Sequence, residues 1–123
     1  MIVGLGVDLV KINRFEMVIE KWQEKLINKI FTNKEHLYCS RHKNSTQHYA
    51  ATFAVKEALI KAYGKGYVKL KEIEIQRNDT GKPFICLYGD TKKKINSLGV
   101  DNIHISITHD GDYSMAVVIL EKQ

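Results

Sequence analysis

Phe53-Ala54-Val55-Lys56-Glu57-Ala58-Leu59-Ile60-Lys61-Ala62 reads as a helix, and the rest of the chain arranges itself around it. Ala, Leu, Lys and Glu are strong helix formers, and no Gly or Pro interrupts the run. Gly64 and Gly66 follow where a left-handed C-terminal cap is expected. Ala50, Ala54, Ala58 and Ala62 recur every fourth residue, so one face is a strip of short side chains that another backbone can approach closely. Phe53, Glu57 and Lys61 form a second row beside it. That row puts a carboxylate and an ammonium one turn apart, next to a face that reads as buried. By spacing alone, Glu57 and Lys61 are an i, i+4 pair on a solvated surface, worth roughly 0.2–0.5 kcal/mol.

Upstream, Met1 to Leu9 alternates as a strand does, with Val3, Leu5, Val7 and Leu9 on one side and Ile2, Gly4, Gly6 and Asp8 on the other. The two glycines leave room on the second side for a close neighbour, whether backbone or ligand. Asp8 ends that side, and by itself it reads equally as the start of a turn into the next helix. Asn13 and Glu16 have the spacing of a capping box. Phe15, Val18, Ile19, Trp22, Leu26 and Ile30 continue at helical spacing, predicting a long amphipathic helix over about 13–30. Arg14 falls in its first turn, where the helix dipole disfavours a cation, a mild hint of an anionic partner on what is otherwise an ordinary surface arginine. Thr32 and Glu35 repeat the capping signal for a short helix ending near Ser40 to His42. Arg41-His42-Lys43-Asn44-Ser45 is a basic, polar loop, by default a connection but able to reach over a phosphate, and Asn44 or Ser45 caps the central helix.

Downstream of Gly66 the period changes from helical to alternating. Ile73 and Ile75, then Phe84, Cys86 and Tyr88, flank the turn cluster Asn78-Asp79-Thr80-Gly81-Lys82-Pro83, which predicts a hairpin with Pro83 at a strand edge. Asp90 or Thr91 caps a short helix through Leu98, closed by Gly99. Ile103, Ile105 and Ile107 alternate with His104, Ser106 and Thr108. Asp110-Gly111 marks a tight turn, and Tyr113 to Leu120 runs back. His109 lies where the first of these strands ends, a position that is usually incidental but that lets a histidine face an anion.

With 123 residues, one proline and 44% hydrophobic content, the chain suits one domain spanning 1–123. No apolar run approaches a membrane span and no charged leader precedes an apolar one, so a cytoplasmic protein is expected. Cys39 and Cys86 have neither disulfide-framework nor metal spacing and read as reduced and structural. The net charge of +5 points to an anionic partner. Nucleic acid is disfavoured, because zinc-finger spacing and aromatic-rich single-strand-binding motifs are both missing. Lys92-Lys93-Lys94 reads as a solvated helix face.

Gly4-Leu5-Gly6-Val7-Asp8, the central helix with its Lys56-Glu57-Ala58 core, Gly81-Lys82-Pro83 and Ser106-Ile107-Thr108-His109 occur in this order along nearly the whole chain. Together they resemble the holo-acyl-carrier-protein synthases, the short branch of the 4′-phosphopantetheinyl transferases. One such motif is weak evidence, but four in order at this chain length are specific. The resemblance implies an α+β fold with the long N-terminal helix and the central helix packed on an antiparallel sheet. It also implies homotrimers with active sites between subunits. The implied reaction moves the phosphopantetheine arm of coenzyme A to a serine of apo acyl carrier protein, with magnesium, and releases 3′,5′-adenosine bisphosphate in support of fatty acid biosynthesis. Asp8 and Glu57 match the metal ligands, and Glu57, directly or through a metal-held water, matches the group that accepts the serine proton. Lys61 matches the residue that stabilises charge on the phosphate being cleaved. Lys43, Gly64, Pro83 and His109 match positions near coenzyme A, and Arg14 matches a basic contact to the carrier protein. One departure stands out: relatives often carry arginine just before the Lys-Glu-Ala run, where this chain has Thr52, so that contact is missing or supplied by Arg41 or a neighbouring subunit. Two rival readings are a basic adaptor for an acidic protein or nucleic acid, and a magnesium-dependent phosphohydrolase. The adaptor leaves Asp8 and Glu57 without a role.

Overall fold

Helix α3 (Ser45–Tyr63) is the axis of the computed structural model, which describes residues 1–123. Ala50, Ala54, Ala58 and Ala62 are all buried along one side, joined by Val55 and Leu59. Gly64 ends the helix in the left-handed region, at φ 70°, and its N–H donates to the Ile60 carbonyl as the sequence predicts. Strand β1 (Ile2–Lys11) lies directly on the alanine strip. A Cβ placed on Gly6 would lie 1.9 Å from the Ala58 carbonyl oxygen, and one on Gly4 2.1 Å from that of Ala62. Glycine and alanine therefore let two backbones touch, and this contact fixes the height of β1 along α3.

A three-stranded antiparallel sheet follows from β1, with β4 (Asn102–Asp110) and β5 (Tyr113–Glu121) in the order β1-β5-β4. Val7 and Ser106 both pair with Val117, so the sheet's two faces are set by the parity of that register. Ser114, Ala116, Val118 and Leu120 of β5 are buried toward α3. The opposite face carries Leu5, Val7 and Leu9 at 64%, 50% and 60% exposure. An apolar stripe thus faces outward while the glycine side faces the core.

Helix α1 (Ile12–Ile30) leaves β1 without a loop. Its N-cap is Lys11, not Asn13, and no side chain caps it. The capping box expected at Asn13 fails because β1 runs on to pair Lys11 with Tyr113, and the Ile12 N–H donates to the Asp112 carbonyl, so the helix starts earlier. The expected single apolar face also fails at Trp22, which is half exposed. Gln23 breaks the helix at φ 46°, ψ −132°, and the break resets the phase: the first part buries Phe15, the second Ile27 and Ile30. Phe15 then packs against Phe53 (5.1 Å between centroids) and edge-on to Phe31 (6.5 Å).

Helix α2 (Asn33–Ser40) has the expected Thr32/Glu35 capping box. Glu35 does more than cap. Fully buried Lys56 of α3 donates to Glu35 Oε1 at 2.6 Å, to the Ile30 carbonyl at 2.7 Å and to the Leu70 carbonyl at 3.0 Å, while Glu35 Oε2 accepts from the Ile75 N–H at 2.8 Å. One ammonium thus joins α1, α2 and α3 to a 3-10 turn (Leu70–Glu72) and the hairpin that follows it. That hairpin is β2 (Ile73–Arg77) with β3 (Pro83–Leu87), paired from Ile73↔Leu87 to Arg77↔Pro83. Helix α4 (Gly89–Asn96) has Tyr88 at its N-cap rather than Asp90 or Thr91, and it ends short of Leu98. Its N-terminus is held by Glu72, whose Oε1 accepts from both the N–H and the hydroxyl of Thr91. Lys92, Lys93 and Lys94 form an exposed face, as expected. No helix is long and apolar enough to cross a membrane.

Candidate active site

Asp8 lies inside β1, three residues from the strand's end, which excludes the turn-starting reading. Alternation points it to the same side as Gly6 and therefore at α3, where Ala58 is in contact with Gly6 and Glu57 is its neighbour. Asp8 and Glu57 line one pocket of about 390 Å³ together with Arg14, Phe15 and Phe53. The two carboxylates feel each other. Burial raises the Glu57 pKa, the negative charge of Asp8 raises it further, and Lys61 offsets only part of this.

Lys61 does not pair with Glu57, as i, i+4 spacing suggests. Its ammonium turns to β1, donating to Asp8 Oδ1 at 3.0 Å and to the Val7 carbonyl at 3.1 Å. Packing decides this, because the glycine contact brings β1 within reach of the end of the lysine side chain. Glu57 is left as a half-buried carboxylate without a bonded counter-ion. Asp8 and Glu57 provide hard oxygen donors from two elements, and their mutual repulsion is what a shared cation relieves. No third acidic, histidine or cysteine side chain joins them, so the remaining ligands of such a cation must be water or substrate oxygens.

The other sequence candidates fall elsewhere. Lys43 lines a pocket of about 270 Å³ with Ile12, Glu16 and Gly111. Gly64 is the exposed C-cap of α3. Pro83 and His109 share a third pocket, of about 330 Å³, between the hairpin and β4. His109 Nδ1 is 3.0 Å from the Ser114 hydroxyl, and burial together with the charge of Arg77 holds its pKa below the ordinary value. Within one chain, then, Asp8, Glu57, Lys61 and Arg14 come together, with Gly64 one turn beyond Lys61 at the end of α3, while Lys43, Pro83 and His109 line other pockets. Sequence reasoning missed the pairing of Lys56 with Glu35. The available signal was that Lys56 follows Val55 and precedes Leu59 by three, on the buried arc of α3.

A glycine-alanine contact thus holds a helix against an antiparallel sheet, and two carboxylates share the pocket beside it. The chain belongs to the 4′-phosphopantetheinyl transferase superfamily, whose family model matches residues 4–118. It is 44% identical over 124 residues to the holo-[acyl-carrier-protein] synthase of Solibacter usitatus, covering 98% of this chain and 99% of that relative. The crystal structure of holo-[acyl-carrier-protein] synthase from Neisseria meningitidis superposes with a TM-score of 0.92 at 28% identity, over 99% of this chain and all of that one. A Bacillus anthracis holo-(acyl-carrier-protein) synthase in complex with CoA (3′,5′-ADP) superposes with a TM-score of 0.81 at 30% identity, over 100% of this chain and 99% of that one. These relatives bear out the α+β fold expected from the sequence.

Proposed function

We infer that this chain is a phosphopantetheinyl transferase that moves the 4′-phosphopantetheine group from coenzyme A to a serine of apo acyl carrier protein, serving fatty acid biosynthesis. The observation that carries the reading is the pair of carboxylates, Asp8 and Glu57, facing one pocket with Lys61 at its edge. In the reaction, the serine oxygen bonds to the phosphorus that bears the pantetheine arm. The bond from that phosphorus to the bridging oxygen breaks, and adenosine 3′,5′-bisphosphate leaves with the bonding electrons. The serine proton needs an acceptor, and we assign that role to Glu57, directly or through a metal-held water. Lys61 carries a positive charge that neutralises the phosphate being cleaved.

The donor set fits Mg²⁺, held by Asp8 and Glu57. When bound, that ion neutralises charge on the pyrophosphate oxygens and so favours transfer. Arg14, exposed at the mouth of the same pocket, is the contact we assign to the acidic carrier protein, consistent with the net charge of +5. Lys43, Gly64, Pro83 and His109 are assigned to coenzyme A. The separation of Lys43, Pro83 and His109 from the carboxylate pocket within one chain, together with the outward apolar stripe Leu5, Val7 and Leu9, supports a homotrimer in which a site is completed between subunits. A cytoplasmic setting belongs to the same proposal.

Intact-protein mass spectrometry of apo acyl carrier protein incubated with this protein, coenzyme A and Mg²⁺ tests the reading. The expected result is a gain of about 340 Da that disappears with chelator. No gain with a folded sample and several carriers overturns it. Hydrolysis of coenzyme A without a gain by the carrier would identify a phosphohydrolase instead.

A further inference from the structure

Lys56 is a fully buried ammonium to which the transfer reaction gives no role, and it stands one residue before Glu57. Among the ion pairs of the molecule, only Lys56–Glu35 has both side chains shut away from water. All three N–H groups of the ammonium are engaged, by Glu35 Oε1 of α2, the Ile30 carbonyl of α1 and the Leu70 carbonyl of the 3-10 turn. Glu35 is held as firmly. Its Oε1 also accepts from the Thr32 N–H at 3.0 Å, and its Oε2 from the Ile75 N–H at 2.8 Å. An ammonium bound by oxygens of three different elements cannot swing, so the direction in which Lys56 leaves α3 is fixed.

That direction bears on where Glu57 points. Successive residues of a helix lie about 100° apart around its axis, so Lys56 and Ala58 are on nearly opposite sides of α3 with Glu57 between them. The Ala58 side rests on Gly6 of β1, a contact of backbone on backbone that sets height and has no interlocking side chain. Val55 and Leu59 add buried apolar surface, but apolar burial has no preferred direction. Hydrogen bonds to carbonyl and carboxylate oxygens do. Rotation of α3 about its own axis is therefore resisted chiefly at Lys56. The tolerance is narrow: a carboxylate about 6 Å from the axis moves by about 1 Å when the helix rolls by about 10°, and a displacement of about 1 Å can cost a reaction about 100-fold.

We propose that Lys56, anchored by Glu35, is a positioning residue for Glu57. The buried node fixes the rotation of α3 and so aims the Glu57 carboxylate into the pocket it shares with Asp8. Lys56 lines no part of that pocket and acts only through the helix. The inference rests on the proposed function, in which Asp8 and Glu57 together hold Mg²⁺.

The test is the double variant Lys56→Met with Glu35→Leu, which removes both charges at once and leaves neither buried alone. Ile95→Val and Ile95→Ala, core substitutions in α4 outside the carboxylate pocket, serve as variants of reduced stability for comparison. Melting curves establish folding for all of them. The double variant is expected to lose about 10- to 100-fold in kcat, and calorimetric Mg²⁺ binding without substrates should weaken by about tenfold. KM for coenzyme A and for the carrier protein should change by less than about threefold. Ile95 variants of equal or lower melting temperature should keep wild-type kcat and Mg²⁺ affinity. If the double variant does not fold, Glu35→Gln decides, because it keeps the capping geometry and one acceptor for Lys56. Its kcat should fall by about threefold at unchanged KM.

A folded double variant with wild-type kcat and Mg²⁺ affinity overturns the proposal, and so does an unchanged kcat in Glu35→Gln where that variant decides. Equal losses in the Ile95 variants would show that stability alone is responsible and would also overturn it. A wild type that binds Mg²⁺ but transfers nothing defeats the proposed function, and the Mg²⁺ affinities then still decide the role of Lys56. A wild type that binds no Mg²⁺ overturns the proposal together with the metal assignment.

Discussion

Glu57 sits in the fold at a free-energy cost. Burial and the charge of Asp8 raise its pKa, so the folded chain binds that proton more tightly than the unfolded chain. For such a group, stability falls as pH rises through the interval between the unfolded and folded pKa values, and the full cost is present above the folded value. Glu57→Gln removes the cost. In chelator at neutral pH its melting temperature is expected to be higher than wild type by about 2 °C or more, while transfer drops by at least about 100-fold. A variant that melts lower, or one that keeps normal transfer, would refute this. Mg²⁺ should stabilise the wild type and leave Glu57→Gln much less affected, because a ligand stabilises only the state that binds it. Arg14 makes a different prediction, as a rim charge outside the carboxylate pair. Arg14→Ala should raise KM for the carrier protein about three- to tenfold and leave that for coenzyme A nearly unchanged, and steady-state kinetics with each substrate varied in turn would expose the opposite pattern.

Two contacts between elements hold the site's parts in place. The first is β1 on α3, where a methyl group on Gly6 would overlap the Ala58 carbonyl oxygen of a helix that cannot move aside. Gly6→Ala should therefore cost more than about 3 kcal/mol by chemical denaturation. A mild effect would mean that the strand slides freely on the helix. The second is the Lys56 node, immediately before Glu57 in α3. Lys56→Met leaves the Glu35 carboxylate buried without its partner, and a loss of about 3–5 kcal/mol is expected. Adding Glu35→Leu to it should recover part of that loss, because the unpaired charge is then gone. Denaturation of the four members of the cycle measures the coupling, and additive losses would show that the pair is not the link.

At the scale of the whole molecule, the unusual feature is a sheet that turns its glycine side inward and its leucine and valine side out. Leu5, Val7 and Leu9 are too exposed for a monomer's core and too regular for chance decoration. If the trimer forms through this stripe, Val7→Glu should give a folded monomer by analytical ultracentrifugation that has lost transfer activity. Wild-type specific activity should also fall on dilution below the assembly's dissociation range. A Val7→Glu trimer, or an active monomer, would be the opposing outcome.

Local chemistry was enough to read α3, its glycine cap, the Thr32/Glu35 box, both hairpins and the glycine-bearing strand, because caps, turns and periodicity act over a few residues. The candidate carboxylates Asp8 and Glu57 came from residues quoted in a family pattern, since spacing alone favoured a solvated Glu57–Lys61 pair and read Asp8 equally as the start of a turn. Other features depended on distant partners. Lys61 turned to Asp8, because the height of β1 on α3 is set by a backbone contact between residues more than fifty positions apart. Asn13 failed as a cap, because the ladder with β5 extended β1. Trp22 left the core, because the break at Gln23 changed the helix phase. Glu35 read only as half of a capping box and Lys56 only as part of a helical run, and their pairing appeared once packing excluded water from both. The sequence by itself thus determined which segments fold locally and which face of each is apolar. Tertiary structure decided which charges meet and which are left unpaired, because those pairings depend on distances that no local pattern encodes.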